Sequence, residues 1–247
     1  MPLYDPSMAG MTRSRPAPRR AAEALDSWRP MRFGRRAGRH IKDPIVEPLW
    51  GGMRVLVSID GPDVVIRDAD GDAVEGWEAL RTALLDAALS ASLVVDGYLT
   101  TEVLRDTTGV GFSLADDVVD RPLNLFRRLF LPSRPATGRR AELEAELRRP
   151  IDLPIDGPTA FVATDLLWVD DVPLIDIPLL ERKRLLESAL GEGQLVRRTA
   201  HVRPPLETWY SQWRAFGFYQ MAIKSANSRY TPGEPSDAWA TAVIPRR

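Results

Sequence analysis

The order of secondary-structure signals constrains this chain more than any single residue. Two β-rich runs, Arg54 to Ile59 and Asp63 to Ile66, flank Gly61-Pro62, and a third run, Leu93-Val94-Val95, precedes Asp96-Gly97. Between the hairpin-like pair and the third run, Glu75 to Ser92 carries apolar residues at helical spacing, Leu80, Leu84, Leu85 and Leu89. The order strand, strand, helix, strand places the chain in the α+β class. Further along, Phe161 to Trp168 is β-type, and Pro178 to Leu190 reads as an amphipathic helix with proline at its start and Leu179, Leu180, Arg182, Arg184, Leu185 and Leu186 inside. Strands are expected again at Gln194 to Val202 and Met221 to Lys224. No internal repeat is visible.

Composition removes several chemistries. The chain has 247 residues, 44% hydrophobic and 27% charged, which is one ordinary globular domain plus a tail. With no cysteine, disulfides, thiolate metal sites and cysteine nucleophiles are excluded, and the two histidines, His40 and His201, lie far apart in sequence. A zinc site or a Ser-His-Asp triad is therefore not expected. No window approaches the roughly 20 apolar residues of a spanning helix, so a cytoplasmic protein with no membrane partner is the expectation. The net charge of -1 means that any nucleic-acid surface must be a local patch. Lys42, Lys183 and Lys224 are the only lysines.

Residues 1–39 alternate arginine and proline and read as a basic, mostly disordered N-terminal arm with a short helix from Ala21 to Trp28. Such an arm is either a solvated tail or a DNA tether acting through phosphate contacts. The stretch from Leu104 to Pro158 mixes prolines with an Arg-rich helix, Arg139 to Arg149, and reads as a partly ordered insertion into a domain spanning residues 40–247.

Five segments, in order, carry a resemblance. Glu47-Pro48-Leu49-Trp50-Gly51-Gly52-Met53-Arg54 has the frame E-x-K-x-D-G-x-R, and Val94-Val95-Asp96-Gly97-Tyr98 that of a strand ending D-G-E. Ala163-Thr164-Asp165-Leu166-Leu167-Trp168-Val169-Asp170 and Pro178-Leu179-Leu180-Glu181-Arg182-Lys183-Arg184-Leu185-Leu186-Glu187 are similar to F-D-L-L-Y-L-D-G and P-L-x-E-R-R-x-L-L-E. Lys224, Ser228, Tyr230 and Gly233, then Trp239, match E-G-x-x-x-K-x-x-x-S-x-Y-x-x-G and the tryptophan of a closing strand. Together these resemble the adenylation domain of bacterial-type ATP-dependent DNA ligases. The resemblance implies the ligase-type nucleotidyltransferase (ATP-grasp-like) fold, antiparallel sheets flanked by helices. The sequence stops just after the closing strand, so no OB-fold domain is expected.

The resemblance also implies a chemistry: a lysine amine attacks the α-phosphate of ATP, expels pyrophosphate and retains AMP as a phosphoramidate, with a divalent metal and further lysines on the phosphates. At the nucleophile position stands Leu49, and Gly51 stands for the following aspartate. The metal-side glutamates correspond to Tyr98 and Tyr219, the two lysines of the closing strand to Thr241 and Val243, and the adenine-stacking aromatic to Thr164. What the resemblance leaves for nucleotide binding is Glu47 toward the adenine amino group, Arg54 toward ribose or phosphate, Arg67 and Lys224. Neither Lys42 nor Lys224 is expected to replace the nucleophile, because misplacement by about 1 Å can cost about 100-fold in rate.

The leading expectation is a catalytically inactive ligase-like protein in DNA repair or recombination, with no catalytic residue, no metal ligand and no ATP or magnesium requirement. It would bind DNA through its arm, a nucleotide or a protein partner. The alternatives are an active ligase or nucleotidyltransferase with an unusual or partner-completed site, and a structural protein whose cleft is filled by Tyr98 and Tyr219.

Overall fold

The computed structural model describes residues 20–101 and 159–245. Its larger sheet is built on strands β3 (Met53–Asp60), β4 (Asp63–Asp68), β5 (Ser92–Thr100), β6 (Ala160–Val169) and β7 (Val172–Pro173), in the order β4-β3-β5-β6-β7, and β8 (Val196–Arg198) pairs parallel to β6. Apart from β8 every pairing in it is antiparallel. Gly61 at φ +58 followed by Pro62 closes β3 onto β4 with glycine first, as a tight hairpin turn of this length favours. A smaller antiparallel sheet holds β2 (Pro44–Pro48), β9 (Gln220–Ser225) and β11 (Trp239–Val243) in the order β11-β9-β2. Short parallel strands β1 (Arg32–Phe33) and β10 (Pro235–Ser236) make a third pairing.

Helices cover the sheets where the apolar residues dictate. Helix α2 (Glu78–Ala87) lays Leu80 and Leu84 on one face of the larger sheet, beside Leu186 and Ala189 of α3 (Leu179–Ala189). Helix α4 (Glu207–Ala215) contributes Trp213 to a cluster under the smaller sheet with Val46, Met221, Ile223 and Ala240. Helix α1 (Ala21–Ser27) lies on the other face of the larger sheet, its Ala21, Ala24 and Leu25 buried against Leu56 and Val94, in a cluster that also takes Trp28, Met31, Trp168 and Trp239. Strand β5 is buried on both faces for this reason, which is why Leu93-Val94-Val95 is an unbroken apolar run.

Residues 20–39, expected to belong to a mostly disordered arm with a short helix from Ala21 to Trp28, are thus folded, with α1 at the expected place: arginine is their commonest residue, but the small and apolar residues among them pack against both sheets. Several boundaries also move. Leu89, expected on the apolar stripe of α2, lies beyond its end and is 64% exposed, its N–H donating to Ala189 O at 2.9 Å. The strand expected from Gln194 to Val202 shortens to β8. In α3 the buried positions are Leu179, Arg182, Lys183, Leu186 and Ala189, whereas Arg184 and Leu185 face solvent. The expected insertion at 104–158 and its helix lie outside the described residues, as do residues 1–19 of the arm. Among the described residues no helix is long and apolar enough to cross a membrane.

Because α1 is a core element, Leu25→Ala is expected to cost about 3 kcal/mol of stability, within the usual range for truncating a buried leucine. Chemical denaturation checks this; a change below about 0.5 kcal/mol would mean that α1 is not packed as described.

Candidate functional site

Strand pairing in the smaller sheet sets the residues of interest in rows. Register places Ile45, Lys224 and Trp239 side by side, then Glu47, Ala222 and Thr241, and then Gln220 with Val243, where the Leu49 N–H donates to Gln220 O at 3.0 Å. Because alternate residues share a face, Glu47, Lys224, Trp239, Thr241 and Val243 all lie on the same side. The facing surface of the larger sheet carries Arg54 opposite Tyr98, and Leu56 between Arg67 and Asp96.

Glu47 is 1% exposed and takes two cations: Lys224 Nζ donates to its Oε2 at 2.8 Å, and Lys183 of α3 pairs with its Oε1. The Lys183 contact is an ion pair without the alignment of a hydrogen bond. Burial alone would raise the Glu47 pKa, but the two ammonium groups outweigh it and bring it from 4.5 to about 2. Lys183 moves down from the ordinary lysine value, first through burial and then through repulsion from Lys224, against the pull of Glu47. One carboxylate between two ammonium groups holds its own charge firmly, while burial and the repulsion between the two cations loosen the Lys183 proton despite it. Lys224 also stands 4.4 Å from the centre of the Trp239 ring, whose indole is approached by Arg54 at 5.8 Å.

Arg54 grips Asp96 through both nitrogens, at 3.0 and 2.7 Å, and Asp96 Oδ2 accepts from Tyr230 Oη at 2.6 Å. The Met31 N–H donates to the same tyrosine oxygen at 2.8 Å, so the chain that leads out of α1 is tied into the network. Burial and the adjacent Asp96 push the Tyr230 phenol well above its usual value. The neighbouring pair Arg182 and Asp165 is fully buried and likewise two-pronged, at 2.8 and 2.7 Å. Two irregularities in β6 frame these pairs: Leu167 and Thr164 have no partner in β5, so each bulges while Asp165 stays opposite Asp96. Gly97 is needed beside them because a Cβ there would lie 2.3 Å from Val162 O and 2.5 Å from the Phe161 ring.

The remaining expected site residues separate from this centre. Arg67 is held by Asp26 of α1 and by Gly71 O at 3.1 Å. Thr164 is buried with its Oγ1 donating to Asp96 O at 3.1 Å. Tyr98 is half-buried under Arg54, its pKa raised by burial, while Tyr219 is 44% exposed. Thr241 and Val243 are exposed, and Leu49 and Gly51 half-buried. Among the described residues no three His, Asp or Glu side chains group as metal ligands. Lys183 was missed as a site residue, although its spacing of four from Leu179 and three from Leu186 puts it on the buried stripe of α3.

Two antiparallel sheets facing each other across such rows, with helices outside, form the ligase-type nucleotidyltransferase fold. Comparison places the chain more narrowly: it is similar to the adenylation domain of ATP-dependent DNA ligases. It superposes on the ligase domain of M. tuberculosis LigD with a TM-score of 0.56 and 21% identity, covering 88% of this chain and 60% of that one. A mycobacterial DNA ligase D complexed with ATP and MES gives 0.54 and 20%, over 87% of this chain and 60% of that one. In sequence, a DNA ligase of Natronomonas pharaonis is 26% identical over 219 residues, 89% of this chain. The chain spans 33% of that ligase's length. No profile of a known protein family matches.

The Glu47 cluster predicts a pH signature. A carboxylate whose folded pKa lies below its unfolded value adds stability above the unfolded pKa and loses it as pH falls through the folded one, here from about 5 down to about 2. At about 1.4 kcal/mol per tenfold change in proton affinity this amounts to about 3 kcal/mol. Glu47→Gln, which leaves two buried ammonium groups unpaired, is expected to destabilise by about 3–5 kcal/mol at pH 7. The gap to wild type should narrow as pH falls from 5 to 3 in denaturant titrations; a gap constant with pH would refute the pairing.

Proposed function

We propose that this chain is a catalytically silent ligase-like domain that acts in DNA repair or recombination by binding DNA, a nucleotide or a protein partner. One observation carries the reading. The carboxylate that would face adenine is closed between Lys183 and Lys224, and two residues further along stands Leu49, which has no amine. Attack on an α-phosphate requires a nucleophile at one defined point, and an aliphatic side chain supplies none.

The residues present do not fit ATP and a divalent metal in the manner of an adenylating enzyme. The positions that would bring carboxylates to a metal hold Tyr98 and Tyr219, and those that would bring ammonium groups to the phosphates hold Thr241 and Val243. Arg54 is committed to Asp96 and Arg67 to Asp26 and Gly71, so their guanidinium groups are engaged within the fold. A nucleotide bound by this chain would therefore not use the Glu47 carboxylate, whose ion pairs are buried and strongly unfavourable to break.

Incubation of the purified chain with α-labelled ATP and magnesium or manganese, followed by denaturing electrophoresis, is expected to leave the protein unlabelled. Leu49→Lys alone should not restore labelling, because metal-side and phosphate-side groups are missing as well. A covalent AMP adduct on the unmodified chain would overturn the proposal.

A further inference from the structure

Among the described residues, a run of cations on anchored backbone lies outside the buried network. From Arg29 to Lys42 the sequence has Arg29, Arg32, Arg35, Arg36, Arg39 and Lys42 and no acidic residue, in a chain whose net charge is -1. All of these except Arg29 are exposed, as is His40. The backbone beneath them is anchored at several points. Residues 32 and 33 pair with β10, the Gly34 N–H donates to Trp239 O at 2.9 Å, and the turn Gly38–His40 is closed by Ile41 N–H to Gly38 O at 3.0 Å with Ile41 buried. Gly38 sits directly on Ile223, where a Cβ would come within 2.3 Å of Cδ1. Among the described residues Arg35, Arg36 and Lys42 have no ion pair or hydrogen-bond partner, and Arg39 contacts only its neighbour His40. The next acid along, Asp43, is taken by Arg203 and Asn227.

We propose that residues 32–42 form an ordered docking surface for the phosphodiester backbone of duplex DNA. Planar guanidinium forks suit phosphate oxygens, and a pre-positioned row loses less entropy on binding than a free tail. Ten residues reach at most about 35 Å, on the order of one turn of duplex. The row has no exposed Phe, Tyr or Trp on which unpaired bases could stack, since its only residue of these types, Phe33, packs against Trp239 at 5.9 Å. Nor does it expose a large apolar side chain to enter a bilayer or fill a protein pocket. What remains is repeated positive charge without an apolar anchor, which matches a polyphosphate backbone.

The proposal rests on reading the chain as a binding domain, and it moves the contact from the arm as a whole to its folded end. Deleting the arm through Arg39 cannot test it, because Leu25, Trp28 and Met31 would leave the core. The informative comparison uses two full-length variants, Arg35→Gln/Arg36→Gln/Arg39→Gln/Lys42→Gln and Arg13→Gln/Arg15→Gln/Arg19→Gln. Their affinity for a fluorescent duplex of about one to three turns is measured by anisotropy between 50 and 200 mM salt. The first variant is expected to bind at least about tenfold more weakly, with a salt slope shallower by about 3, given roughly 0.9 per phosphate contact. The second should change affinity by less than about threefold, and the first should melt as wild type does because none of its four side chains holds another element of the fold. Equal loss in both variants, loss confined to the second, or no duplex binding by the wild type would overturn the proposal. The assay contains no ATP, so an AMP adduct would overturn the functional reading without deciding this one.

Discussion

A carboxylate removed from water must recover its lost hydration from the protein, and Glu47 recovers it from two ammonium groups on two different elements. Lys224 comes from the neighbouring strand β9 and Lys183 from α3, so one side chain ties the smaller sheet to a helix that otherwise packs on the larger one. Most of the seam between the sheets depends on similar arrangements. Arg54 and Asp96 join adjacent strands of the larger sheet, Tyr230 and the Met31 backbone extend them toward β10 and α1, and Arg182 fixes α3 to Asp165. A seam so rich in buried charge stays intact only while each pair is complete. Replacing a whole pair by apolar groups can be neutral, whereas deleting one partner leaves a bare charge.

The indole of Trp239 explains how two of these pairs coexist at close quarters. Arg54 and Lys224 are both cations and both approach its ring, so the aromatic face offers each an attractive surface where direct proximity would repel them. Its Nε1–H donates to Ser228 Oγ at 3.0 Å, so the ring is held in place and cannot turn away from either cation. The closing strand of the smaller sheet is therefore defined by packing and charge in its first residue, while its outer residues carry no such duty.

How much of this was legible in the sequence depended on which side of a residue's chemistry was being read. Strands β3, β4, β5, β6 and β9 were visible because their buried side chains are apolar runs. In α3 the sequence names Leu179, Leu180, Arg182, Arg184, Leu185 and Leu186 inside the helix; Arg182 is indeed buried, Arg184 and Leu185 are exposed, and Lys183, which that reading passes over, is buried against a partner far away in sequence. A charged residue on an apolar stripe signals a buried ion pair, but its partner comes from tertiary structure and cannot be seen in one sequence. The short helix α1 was legible as an element from Ala21 to Trp28, but not its place in the core, because Ala21, Ala24 and Leu25 fill a groove made by distant strands.

Most of the positions compared with an adenylating enzyme divide by burial, and the division bears on what the resemblance means. The retained identities Glu47, Lys224, Ser228, Tyr230 and Trp239 are all buried, each with a specific partner inside the fold. Of the positions read as departures from that pattern, Tyr219, Thr241 and Val243 are exposed, Leu49, Gly51 and Tyr98 are half-buried, and Thr164 is buried with its hydroxyl donating to Asp96 O. Packing constrains the first group whatever the chain does, because changing any one strands a polar group or opens a void. The exposed members of the second group are constrained mainly by chemistry, since substitution at an open position usually changes stability by less than about 0.5 kcal/mol. A chain relieved of nucleotide chemistry but still required to fold would keep the first set and lose the second, so the surviving ligase-like residues testify to the scaffold and carry no separate testimony for ATP.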